Sequence, residues 1–226
     1  MGRRYAPQAL HRAVRLRHMG QDSRAVRFSI FPLTGVLLFP GLQLPLHIFE
    51  PRYRSMISDA LVRDRRIAMI QPQAPGEGAP LFSVGCVGKI GEVEAMEDGR
   101  YNVVLEGISR FRLLRELDVT TPFRQIEGQL IEDDAAASLS AVERASFERE
   151  ARNFAEAQGY SVDWDSVARL DDVSLINGVS QIAPFDAAAK QALLEADDLA
   201  SRCELLVQLM AFFGRRDSDD GRVTLQ

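Results

Sequence analysis

Between residues 28 and 53 the chain reads FSIFPLTGVLLFPGLQLPLHIFEPRY, and no apolar run in it escapes a proline or glycine for long. Pro32, Gly35, Pro40, Gly41 and Pro45 break it into pieces too short for an amphipathic helix. Proline fixes φ and has no N–H to give to a ladder, so such runs suit edge strands, bulges and turns rather than a flat central sheet. The spacing predicts short β-like runs in FSIFPL, GVLLFPG and LQLPLHIF. Pro51 is different, because the first turn of a helix does not use its N–H. Tyr53, Met56, Ile57, Ala60 and Leu61 follow at i, i+3, i+4, i+7 and i+8, one apolar stripe at helical spacing. Glu50 just before them faces the positive end of the helix dipole.

Downstream, IAMIQ (67–71) reads as a buried strand. The pair LFSVGCVGKIGEVEAM and RYNVVLEGISRFRLLREL flanks EDGR, where Asp98-Gly99 signals a hairpin. Tyr101, Val103, Leu105, Ser109, Phe111 and Leu113 share one face of the second strand, and Gly107 marks a bulge or a close backbone approach. FRQIEGQLIE gives a last strand. Many short strands with one helix inserted predict a small irregular barrel over 28–131.

The pattern then changes. The acidic break 133–140 would permit the two parts to move against each other, and 140–214 is helical. SAVERASFEREARNFAEAQ forms one helix, Ser161 caps a second, Asp171 a third, and Asp186 a long last helix stopped by Gly214. Leu199, Cys203, Leu206, Met210 and Phe213 make its apolar stripe, broadened by Leu205, Leu209 and Phe212. Residues 1–27 read as a basic, disordered leader and 215–226 as a solvated tail. The fold class is α+β, a β-barrel followed by an α-helical bundle.

The sequence carries no recognisable catalytic motif. A P-loop needs a glycine where SVGCVGKI has Ser83, and a serine or threonine where it has Ile90. Lys89 and Lys190 are the only lysines, and nothing marks a nucleophile beside either. His11 and His18 lie in the leader, which leaves His47 as a hydrogen-bonded structural histidine or a general base. No His/Cys cluster has metal-ligand spacing. Cys86 and Cys203 belong to no C-x-x-C pair and read as core residues in a reducing, cytoplasmic compartment. No apolar run approaches membrane-spanning length. A net charge of −5 disfavours nucleic acid as the main partner. Catalytic residues, cofactors and metals are therefore expected to be none.

The stretch FPLTGVLLFPGLQLPLHIFEPRYRSMISDAL, followed in order by VGCVGKI, EDGRYNVVLEGISRFRL, PFRQIEGQLIE and AKQALLEADDLASRCELLVQLM, resembles the amino-terminal, substrate-binding domain of Lon proteases over residues 28 to 214. The resemblance implies a PUA-like β pseudobarrel, a helical bundle and recognition of polypeptides. Complete Lon proteases continue into an ATPase and a serine–lysine protease, so the chain reads as a stand-alone, bacterial binding module. Implied partners are unfolded or client polypeptides, with a protease or chaperone beside them.

Two roles are open for the opening junction. A contact surface would comprise Phe39, Leu42, His47, Glu50 and Arg52, apolar with a polar rim. A scaffold would use Pro40, Gly41, Pro51, Tyr53, Glu106, Gly107, Arg110 and Phe111, with Arg52 facing solvent or pairing Glu50 or Glu106, or Glu50 pairing Arg110. The binding module predicts an exposed apolar patch. An RNA-associated PUA-like role would need a basic groove, and an unrecognised enzyme would need a polar pocket with a perturbed pKa.

Overall fold

A computed structural model describes residues 25–220, with side chains to residue 215. Its elements run β1 (Val26–Pro32), β2 (Gln43–Ile48), α1 (Pro51–Val62), β3 (Arg66–Ile70), β4 (Val84–Ala95), β5 (Tyr101–Leu117) and β6 (Gln125–Leu130). There follow α2 (Ala141–Ala157), α3 (Trp164–Val167), α4 (Asp172–Ile182), α5 (Ala187–Glu195) and α6 (Leu199–Asp220).

The sheet order is β2-β5-β4-β3-β1-β6, and β5 also pairs with β6. Five strands thereby close into a ring, and β2 hangs outside it on the first half of β5. β5 can serve both halves because it is 17 residues long and its pairing with β4 shifts register beside Gly107. A bulge there bends the strand, so Tyr101–Glu106 face β2 while Phe111–Leu117 turn toward β6.

Consecutive residues are buried on opposite faces. Ile30, Ala68, Val87, Phe111 and Ile126 fill the ring, while Phe31, Met69, Cys86 and Ile90 pack outward under α1. Helix α1 supplies Tyr53, Met56, Ile57 and Ala60, the stripe expected from the spacing. Pro51 opens it, and Arg65 beyond its end adopts a left-handed φ of 59°. That conformation is uncommon outside glycine, and here the Arg65 side chain holds it by donating to the Ile90 and Gly91 carbonyls.

Several expectations need correction. Residues 35–41 form no strand. Gly41 takes a φ of 80°, and the turn is pinned by Gly41 N–H to the Gly107 carbonyl (2.9 Å) and Gly107 N–H to the Leu42 carbonyl (2.8 Å). A Cβ on Gly107 would collide with the Phe39 carbonyl, so this glycine serves both bulge and close approach. Helix α3 is capped by Asp163 rather than Ser161, because the Asp163 carboxylate reaches the Asp165 and Ser166 N–H groups. The long last helix is two. Ala196 leaves the helical region at ψ 133°, and Asp198 starts α6 by accepting from Ser201 N–H. Gly214 does not stop α6 but lies within it, beside Phe154 of α2.

Asp171 and Asp186 cap α4 and α5 as expected, and Ser140 with Glu143 caps α2 through a capping box that was not anticipated. The helical core of Phe147, Phe154, Ile176, Leu193, Leu206 and Met210 runs on into Leu37, Phe39 and Val84 of the barrel side. One of the three core clusters thus joins the barrel side to the helices, while the other two belong to the barrel and α1.

Candidate functional site

The five residues proposed as one contact surface fall in separate places. Phe39 is 0% exposed and belongs to the shared core, so it offers nothing to a partner. Leu42 is half-buried against the same cluster. His47, Glu50 and Arg52 remain accessible, on either side of the β2–α1 junction.

β2 is the edge strand of the sheet, and Pro45 sits in its middle. Along it Gln43, Pro45 and His47 point outward, Leu44 and Leu46 pack inward, and Phe49 beyond its end is 60% exposed. His47 Nδ1 lies 2.7 Å from Asn102 Oδ1, and Nε2 lies 3.3 Å from an Arg100 Nη1. That network has Nδ1–H donating to Asn102 and Nε2 accepting from Arg100. Asn102 in turn donates to Glu94 (2.7 Å), and the His47 and Phe49 rings lie 6.2 Å apart, nearly parallel. A cavity of about 480 Å3 opens beside them, walled by Pro45, Leu46, Val93 and Glu94. It is an apolar recess over the face of the sheet across β2, β5 and β4, beside an imidazole whose two nitrogens are both engaged and next to the outer edge of β2.

Glu50 and Arg52 look the other way. Arg52 Nε donates to Glu50 (3.0 Å) and Nη1 to Glu77 (2.7 Å), with its guanidinium 4.7 Å from the Tyr53 ring centre. Arg52, Tyr53 and Glu77 line a second recess of about 600 Å3, which also holds Arg124, Glu116 and Phe123. Arg124 is paired with Glu116 through two contacts of 2.6 Å, which raises the guanidinium's pKa and lowers that of the carboxylate. Burial raises the Tyr53 phenol, whose ring packs 4.3 Å from Phe31. Arg52 thus meets Glu50 and Glu77 and Arg124 meets Glu116, while the Tyr53 side chain is buried with the residues under α1. Glu106 lies exposed on β5, opposite Gln43 and Lys89. Phe111 is enclosed in the ring against Phe28.

Arg110 does not reach Glu50. It is 1% exposed and turns toward the helices. Nε and Nη2 donate to Asp133 (as short as 2.6 Å), while Nη1 donates to the carbonyls of Leu194 (2.7 Å) and Ala196 (2.6 Å). A guanidinium at the C-terminus of α5 satisfies carbonyls that the helix leaves open. The acidic break is therefore anchored to the barrel at Asp133.

Sequence reasoning missed Arg202. It is 4% exposed, donates to the Leu193 carbonyl and Asn177 Oδ1, and stacks 5.7 Å from the Phe39 ring. Burial brings its pKa down to about 10. The signal was present, since position 202 is i+3 from Leu199 and i−4 from Leu206, inside the apolar stripe. Gln191 and Asn177 complete the seam by donating to the carbonyls of Val84 and Pro40.

Cys86 and Cys203 are buried free thiols, pushed up to about 12 and about 11 by desolvation, so neither is a poised nucleophile. Lys190 is lowered by burial and donates to the Gln181 carbonyl. Among the described residues no group of three or more His, Cys, Asp or Glu is placed to hold a metal ion, and no helix is long and apolar enough to cross a membrane.

The family model of the ATP-dependent protease La (LON) substrate-binding domain matches residues 27–211. Lon protease 2 of Myxococcus xanthus is 28% identical over 195 residues, covering 80% of this chain and 23% of the relative. Lon protease of Anaeromyxobacter dehalogenans is 27% identical over 202 residues, covering 84% of this chain and 23% of its own length. The chain thus spans less than a quarter of these relatives. A solved Lon N-terminal domain protein from Xanthomonas campestris superposes with a TM-score of 0.63 at 22% identity, covering 83% of this chain and 98% of that one. The N-terminal domain of the Mycobacterium avium complex Lon protease gives 0.63 at 19%, covering 82% and 98%. At such identity the two structures speak for the α+β fold.

Proposed function

We propose, from the premise that this chain belongs to the LON substrate-binding domain family, that it is a non-catalytic module that binds segments of other polypeptides. We read the five-strand ring as the PUA-like pseudobarrel of that family. The observation that carries the binding surface is the outer edge of β2, which no described strand pairs, with Phe49 and His47 exposed near an apolar recess. An extended client lies along such an edge, because a free strand edge offers backbone donors and acceptors and the recess takes an apolar side chain. Pro45 removes one donor, which favours transient contacts over a continuous ladder. Arg52 and Glu50 form the charged margin at the far side of the junction. The module's place in the cell is that of an adaptor in protein quality control, presenting clients to a protease or a chaperone.

A stable unfolded reporter polypeptide, titrated by fluorescence anisotropy, tests this. Phe49→Asp and His47→Glu change exposed side chains and leave the core intact, unlike Leu42→Asp, which would disturb the seam. Phe49→Asp is expected to weaken binding about tenfold, on the order of one buried aromatic contact, and Arg52→Glu by less. Equal binding by the wild type and the folded Phe49→Asp variant would move the surface elsewhere. No binding by the wild type would remove the function.

A further inference from the structure

The recess beside β2 opens on the solvent face of the sheet, and the register says which side chains stand there. Pro45 lies opposite Val104, His47 opposite Asn102 and Gln43 opposite Glu106, so these pairs share one side of the β2–β5 ladder. Across β5, Glu94 lies opposite Asn102, and the pairing of β4 with β5 shifts register between Ile90 and Val93. Gly91 and Glu92 fall in that irregularity, where a bulge re-aims the side chain it carries. Glu92 and Glu94 both wall the recess, together with Pro45 and Val104. Glu106 closes in from the side, since a Cβ on Gly91 would stand 3.1 Å from its Oε1.

The groove is therefore apolar at its centre and negative at its margin. Glu92, Glu94 and Glu106 are exposed, and none of them forms an ion pair among the described residues. Glu94 accepts from the Asn102 amide, Arg100 is held by Asp98 (2.6 Å), and Lys89, level with Glu106 in the register, makes no ion pair with it. In the second recess, by contrast, Arg52 and Arg124 each meet a glutamate. A row of exposed carboxylates is by itself a solvated face. Here it borders an apolar groove at an open strand edge, so it discriminates among the segments that could lie there, drawing in basic ones and repelling acidic ones. Reach sets the residue type. Strands lie roughly 4.8 Å apart, so a segment paired with the outer edge of β2 stands about 10 Å from β5 and about 14 Å from β4. Lysine and arginine carry their charge on long apolar stems, which can cross Pro45 and Val104 and meet the glutamates beyond.

We propose that the segment held at the outer edge of β2 is a basic one: an extended stretch with an apolar residue for the recess and a lysine or arginine two residues to either side, selected by Glu92, Glu94 and Glu106. In an extended chain residues two apart project from the same face, which brings all three side chains over the groove together. The proposal rests on client binding at the β2 edge and adds the charge of the client.

The test uses three fluorescent peptides, identical except for the residues two before and two after a central leucine, which are lysine, glutamine or glutamate. Each is titrated by anisotropy against the full chain. The lysine peptide is expected to bind about tenfold more tightly than the glutamate peptide, the gain of one or two exposed ion pairs. In the Glu92→Gln/Glu94→Gln/Glu106→Gln variant that ratio should fall to about twofold or less, with the glutamine peptide bound as by the wild type. The Glu132→Gln/Glu156→Gln/Glu204→Gln variant loses the same charge at exposed positions elsewhere and should keep the preference. Equal binding of the lysine and glutamate peptides by the wild type would overturn the proposal while leaving the edge as a binding surface. So would a preference that survives the first variant, or one that both variants lose alike. Binding of none of the three peptides would remove the edge reading, and this proposal with it.

Discussion

Arg110 ties three segments together through one guanidinium: its own strand, the acidic segment at Asp133 and the end of α5. Removing one member of a buried ion pair strands the rest, whereas the intact pair adds little net stability over an apolar replacement of both. Arg110→Met is therefore expected to lower the unfolding free energy by about 3 kcal/mol, the low end of the usual range because the Asp133 side chain is 29% exposed. Asp133→Asn leaves the three carbonyl acceptors of Leu194, Ala196 and Asp197 in place and should cost about 1 kcal/mol. Urea unfolding of both variants measures this. A loss below about 1 kcal/mol for Arg110→Met would show that the anchor is dispensable.

The helical elements start on acidic or hydroxyl caps, and these set their response to acid. Hydrogen bonds from N-terminal N–H groups hold Asp171 and Asp198 below the usual carboxylate range. Bonds with Ser140 and Ser166 do the same for Glu143 and Asp163. For a carboxyl depressed in the folded state, the stabilisation is fully present above the unfolded value, about 4, and is lost as pH falls through the folded value. Far-ultraviolet circular dichroism should thus stay level down to about pH 5 and decline below about pH 4. Asp171→Asn and Asp198→Asn should flatten that decline, and an unchanged acid limb in both would show that the caps do not govern it.

Caps and periodic stripes were also what the sequence disclosed best. Tyr53, Met56, Ile57 and Ala60 announce α1 because period and burial coincide, and Gly107 announces a bulge because nothing larger fits. The division of the last helix at Asp198 was hidden, since Ala196-Asp197-Asp198 carries no proline or glycine. The interruption comes from Arg110, 86 residues earlier, taking the Ala196 carbonyl. Residues 35–41 look like a strand by composition, yet Gly35, Phe39 and Gly41 give their N–H groups to Gln71, Gln181 and Gly107, while Leu37 and Phe39 pack with the helices and Leu38 under α1. The candidate surface was legible only in part for the same reason. His47 and Arg52 are five residues apart but face different recesses, and Phe39 is claimed by a core assembled from the far end of the chain.

At the scale of the molecule, the helices have no interior apart from the one they share with Leu37, Phe39 and Val84, although the ring and the α1 side keep clusters of their own. Leu37, Phe39 and Val84 are buried with Leu193, Leu206 and Met210, and Gln71, Gln191 and Asn177 bridge the seam. The two parts are expected to unfold together. Trp164, in the helical part, gives a local fluorescence signal to set against the dichroism of the whole chain. Coincident transitions are expected, and an earlier Trp164 transition with the β signal retained would separate the two.

Ring closure also has a timetable. β1 obtains β6 as one of its two neighbours, yet Pro32 ends β1 and Gln125 begins β6. On a ribosome adding roughly 5–20 residues per second, the first strand waits roughly 5 to 20 s for that partner to be made. During that interval the nascent barrel is an open ribbon with Ile30 uncovered, and the protein is itself a candidate for the kind of assistance it is proposed to give.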